Sequence, residues 1–195
     1  MLCIPGIASS AQITLEPGVG SYSLSANMDI LEDPQQSFNI HDIAEGEQLH
    51  NFKAFTGGTP NFGSTESAYW FRTLLVNPYS TEQHIILEQP LPFIDSIKFF
   101  TPDKNDAGGF QVIHVGDKQP FSERPNSHHS YLFDLMLSPH QELPIYIRVA
   151  SRVTLMAPFT FWHESVWDET AQAQALTFGV FFGILLTLTL TSLSL

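Results

Sequence analysis

Several residue types that would identify an activity are missing or scarce. There is 1 cysteine, Cys3, so no intramolecular disulfide can form. Disulfides are optional in oxidising compartments, so the periplasm stays open as a location. Lys and Arg number only 8 against 20 acidic residues, a net charge of −12. Nucleic-acid binding needs clustered cations, so this balance argues against it, and also against a domain lying flat on anionic lipid. The chain has no Gly-x-Ser-x-Gly, no Walker loop and no dinucleotide glycine pattern. No pair of carboxylates stands out for glycoside hydrolysis, so an enzyme is not expected. No cofactor motif is present either. Charge is absent from Ala175 to Leu195, and no Lys or Arg follows Arg152.

That uncharged stretch, ALTFGVFFGILLTLTLTSLSL, is the most informative feature present. As a helix it is roughly 30 Å long, about one hydrocarbon thickness, and reads as a transmembrane helix in contact with lipid. Gly179 and Gly183, four residues apart, allow close helix packing or dimerisation there. Trp167 is expected in an aromatic belt at the membrane surface, and Trp162 within the last strand. Residues 164–174 read as a linker leading helically into the span. At the other end, MLCIPGIASSAQ resembles the tail of a secretory signal, so residues 1–11 are expected to be a signal-peptide remnant or a disordered start. The basic first part of such a signal would lie upstream of Met1. The chain reads as the front part of something longer.

Between these ends lie roughly 160 residues, enough for one domain with a sizeable core. Phe is abundant at 16, and Pro at 13 and Gly at 12 supply turns. Strong strand candidates are Ala68 to Asn77, Gln83 to Glu88, Asp95 to Thr101, Phe110 to Val115, Ser130 to Leu137, Leu143 to Ala150 and Val153 to His163. Alternation supports half-buried strands. Tyr131, Phe133, Leu135 and Leu137 fall on one face and Asp134 on the other; Ile145, Ile147 and Val149 oppose Tyr146 and Arg148. Gln12 to Leu15 and Gly20 to Leu24 read as short and peripheral, and residues 25–63 as the least regular part. No convincing amphipathic helix precedes Glu164. Strands at spacings of about 8 to 15 residues imply an all-β sandwich over residues 12–163, with jelly-roll and immunoglobulin-like topologies unresolved.

The ordered set AYWFRTLLVNP, DSIKFFTP, GGFQVIHVGDKQPFSERP, YLFDLML and LPIYIRVASRVTLMAPFTFW resembles a known family. It is similar to the type 2 extracellular domain of bacterial seven-transmembrane receptors with diverse intracellular signalling modules. LEDPQQSFNIHDIAEGEQLHNF and NFGSTESAYWFR fit that domain's opening, and FGVFFGILLTL resembles the start of the family's first membrane helix. The resemblance implies a jelly-roll-like periplasmic sensor related to carbohydrate-binding modules, held at the bacterial inner membrane. A seven-helix bundle and a cytoplasmic output module would follow it. The family's first helix usually continues through a Tyr-Asn pair, and LTLTLTSLSL departs from that, as a fragment or frameshift would.

The expected ligand site is built from Trp70, Arg72, Tyr146 and Arg148. Trp70 and Arg72 share a strand face, where an indole can stack a sugar ring and a guanidinium can bind hydroxyls or a carboxylate. The bland alternative puts Trp70 in the core and pairs Arg72 with an acid. Arg148, on the polar face beside Tyr146, can converge with Arg72. Arg124 reads as a turn residue. His128 and His129 read as an exposed loop, and Asp103 to Gly109 as a solvated turn, so no metal is expected. The expected function is ligand sensing for a membrane receptor, with a carbohydrate or other small polar or anionic ligand. A single-span tethered binding or adhesion module is the alternative.

Overall fold

A computed structural model describes residues 11–120 and 128–193; Cys3, Arg124 and residues 1–10 lie outside them. In chain order the first strands are β1 (Gln12–Thr14), β2 (Ser21–Ser23) and β3 (Asp29–Asp33), followed by helix α1 (Ile40–Ala44). Next come β4 (Lys53–Ala54), β5 (Asn61–Ser64), β6 (Ala68–Val76), β7 (Gln83–Gln89), β8 (Ser96–Pro102) and β9 (Phe110–Val115). The chain ends in β10 (Tyr131–Leu137), β11 (Glu142–Ala150), β12 (Thr154–Met156), β13 (Thr160–His163) and helix α2 (Glu164–Leu193).

Two sheets face each other. The larger has the order β4-β3-β6-β11-β8-β9, with β1 added to β6 in parallel; the smaller has the order β10-β7-β13-β2. β12 and β5 form a separate pair. The inner faces meet in one core that includes Phe71, Leu87, Phe99, Phe133, Ile147 and Phe161. Alternate residues of β10 supply it, since Tyr131, Phe133, Leu135 and Leu137 are buried while Asp134 and Met136 are exposed. Pro144 is tolerated in the long strand β11 because β8 pairs only with Tyr146 to Ala150, leaving that edge free of a ladder at Pro144. The result is a β-sandwich followed by an apolar helix long enough to cross a membrane.

Residues 25–63 are the least regular part, as expected, with elements of five residues or fewer, yet they are built into the sandwich. β3 is an inner strand of the larger sheet, between β4 and β6. α1 follows it, started by a capping box in which the Asn39 side chain accepts from the His41 and Asp42 N–H groups and Asp42 accepts from the Asn39 N–H. β1 is not peripheral either: Ile13 and Leu15 belong to the main core. Trp167 is buried on the sandwich rather than placed in a membrane belt. Ile86 and Leu132 surround it, and Trp162 and Ala171 pack against the same cluster. Residues 164–174 are the first turns of α2, continuous with the span. Gly179 and Gly183 lie farther along it, with no neighbouring atom near either.

Candidate functional site

Trp70, Arg72, Tyr146 and Arg148 do share one face. Antiparallel pairing sets Tyr146 opposite Arg72 and Arg148 opposite Trp70, on the outer side of the larger sheet. That face is closed, however, by the segment from Phe38 to Phe52. Leu31, Ile43, Trp70, Phe100 and Tyr146 form a second core there, with Phe38, Ile40 and Phe52 packed against it. Trp70 is 1% exposed and stacks on Phe100 with centroids 5.5 Å apart. Its indole offers no free surface to a sugar, because α1 has taken the position that an open sheet would leave for a ligand. The Trp70 N–H has no acceptor among the described residues. Burial raises the Tyr146 phenol above its ordinary pKa, partly offset by Arg72.

Arg72 holds this cover down. Its Nε and Nη2 donate to Asp29 Oδ2 at 3.1 and 3.0 Å, and its Nη1 donates to the Leu49 carbonyl at 2.9 Å. The guanidinium also lies 4.3 Å from the Phe52 ring centroid. The bland reading of Arg72, an ion pair with an acid, is the one the geometry displays, and the pair is nearly buried. Arg148 differs from the other three. It is half-buried and donates from Nη2 to Gln36 Oε1 at 3.2 Å. Burial lowers its pKa, opposed by the Asp33 carboxylate.

Gln36 in turn lines an open cleft of about 860 Å³ at one end of the larger sheet. The walls come from the loop after β3 (Gln35, Gln36), the turn before β6 (Ser64 to Glu66), the start of β8 (Asp95, Ser96), His114 of β9, Lys118 and Gln119, and the end of β11 (Ser151, Arg152). Asp95 organises this end. It accepts from Lys118 Nζ at 2.6 Å and from the Arg152 backbone N–H at 3.1 Å. Its carboxyl pKa is lowered, chiefly by the Lys118 hydrogen bond. Gly116 lets the chain leave β9 against the Asp95 carbonyl, where a Cβ would clash. The Ser151 hydroxyl in the cleft wall is 5% exposed and has no partner among the described residues. Amides, hydroxyls and a few balanced charges therefore converge on a concave surface.

Sequence reading did not single out the cleft residues. They come from loops far apart in the chain, and no periodicity marks them. The Asn39-x-x-Asp42 capping box was the one readable signal for α1, and so for the closing of the Trp70 face.

The architecture is thus a β-sandwich with a polar end-cleft, joined without a break to a helix long and apolar enough to cross a membrane. The family model described as 7TMR-DISM extracellular 2 matches residues 25–163, and the chain belongs to that family. It is an extracellular sensing region of a membrane receptor, in a family of sensor domains rather than an enzyme class. No curated protein matches the chain.

Proposed function

We propose that this domain senses a small polyhydroxylated or anionic ligand, a sugar or sugar acid, in the cleft at the end of the larger sheet. The unpartnered Ser151 hydroxyl in that wall carries the reading, because buried polar groups normally have partners. The cleft volume is in the range of small-molecule sites. Gln36, Gln119, Ser96 and Ser151 suit sugar hydroxyls; Arg152 at the mouth and Arg148 behind Gln36 suit a carboxylate. Of the residues expected from sequence, Arg148 stays in the proposal, while Trp70, Arg72 and Tyr146 hold the cover of the second core. The domain sits in the periplasm, anchored in the inner membrane by residues 175–195. A ligand that prefers one arrangement of the sandwich relative to α2 shifts the receptor between states.

Titration calorimetry of the full chain in micelles with glucose and glucuronate tests this. We expect binding of at least one sugar, weakened about tenfold by Ser151→Ala and by Gln36→Ala, as for one lost hydrogen bond. No heat with either sugar, or affinity unchanged in both variants, would sink it.

A further inference from the structure

We infer that the cleft-bearing end of the sandwich rests on the bilayer surface, with Phe93 and Val153 inserted into the lipid interface. The course of α2 carries the argument. β13 runs antiparallel to β7 and ends with His163 opposite Ile85. α2 then turns back along the outer face of the smaller sheet. Its first residue, Glu164, contacts His84 at 2.8 Å. Trp167, one turn on, packs on Ile86 and on Leu132, the register partner of Glu88, and its ring lies 5.3 Å from that of His128. The helix thus advances along β7 toward Gln89. Ala171 is the last α2 residue in the cluster that docks it, and the described side chains beyond Ala175 are exposed. From there the helix extends roughly 33 Å further to Leu193. The membrane span therefore begins at the Gln89 end.

That is also the cleft end, because residues 90–95 connect Gln89 directly to the start of β8 at Ser96. Among the described residues, Phe93 at 46% and Val153 at 52% exposure are large apolar side chains that protrude there. Their loops are tied together and pinned. Asp95 accepts from the Arg152 N–H, and the Tyr131 hydroxyl donates to the Pro92 carbonyl at 2.8 Å. Pinned, exposed apolar tips cost free energy in water, and insertion into a lipid interface removes that cost. Lys118 is paired with Asp95, while Arg152, exposed and next to Val153, brings a cation to lipid phosphates at this end. Met136 is as exposed as Phe93 but pairs with His84 at the far end of the sheet, which makes it the control.

The test attaches a nitroxide label at Phe93→Cys, Val153→Cys or Met136→Cys in a full chain carrying Cys3→Ser. Each variant is reconstituted in phosphatidylethanolamine–phosphatidylglycerol vesicles. Collision rates with oxygen and with a water-soluble nickel chelate are then compared. Labels at 93 and 153 are expected to favour oxygen and to meet nickel severalfold less often than the label at 136. Equal nickel accessibility at all three positions would overturn the inference. These side chains are exposed, so the variants fold, and a thermal melt of each confirms it.

Discussion

Each sheet of the sandwich has part of its outer face covered, and the two covers are built differently. On the larger sheet the cover is the segment from Phe38 to Phe52. It buries Trp70 and Tyr146 among aromatic and aliphatic side chains and is fastened by the nearly buried Arg72–Asp29 pair. On the smaller sheet the cover is the root of α2. It buries a cluster of Ile86, Leu132 and Trp167, with Trp162 and Ala171 at its margin. Its polar fastenings are weaker, because His84 and Glu164 are both substantially solvated. Glu88 accepts from Trp162 Nε1 at 3.0 Å and Ser130 Oγ at 2.9 Å, which holds Trp162 at the margin of the cluster but does not fasten α2 itself. The first cover is part of the permanent fold. The second, which under the proposed function is the element that responds to ligand, is held more lightly.

Substitutions on the two sides should separate these roles. Trp70→Ala is expected to have the largest effect, about 4 kcal/mol off the stability of the whole sandwich by urea unfolding, because it empties the second core. A cost below about 1 kcal/mol would mean that this core is not part of the cooperative unit. Trp167→Ala is expected to cost about 3 kcal/mol, but locally. Hydrogen exchange should rise at residues 164–171 while the sandwich midpoint barely moves; a midpoint that falls in step with the lost protection would erase the distinction. The smallest effect concerns pH. Burial alone would lower the His84 pKa, but hydrogen bonds to Glu164 and Asp134 outweigh it and raise the pKa above 6.5. A raised folded pKa gives stability that is fully present below the unfolded value and is lost as pH rises through the folded value. Protection of residues 164–171 should therefore fall as pH climbs from about 6 through the raised value. The dependence should flatten in His84→Gln.

Strand positions were legible where one face is buried and the other carries exposed residues, as in β10, because alternation then has a period to follow; β11, read as half-buried, is covered on both faces. β3 escaped because its acidic residues break that period: Asp29 and Asp33 are buried by hydrogen bonding, not by being apolar. The shared face of Trp70, Arg72, Tyr146 and Arg148 was readable from strand parity. Its closure was not, since a short capped helix packing on a sheet leaves no long-range mark in one sequence. Trp167 looked like a membrane-surface residue because its position next to an apolar run is the same whether it faces lipid or β-sheet.

β13 passes into α2 at His163 and Glu164 with no residues between them. A hinge would dissipate motion, and here there is none. The helix has the proportions of a lever arm, with a short end packed on the sheet as far as Ala171 and a long, membrane-length end beyond it. A tilt of roughly 5° at the clamp displaces the far end by about 3 Å, enough to change how it packs against a neighbouring helix.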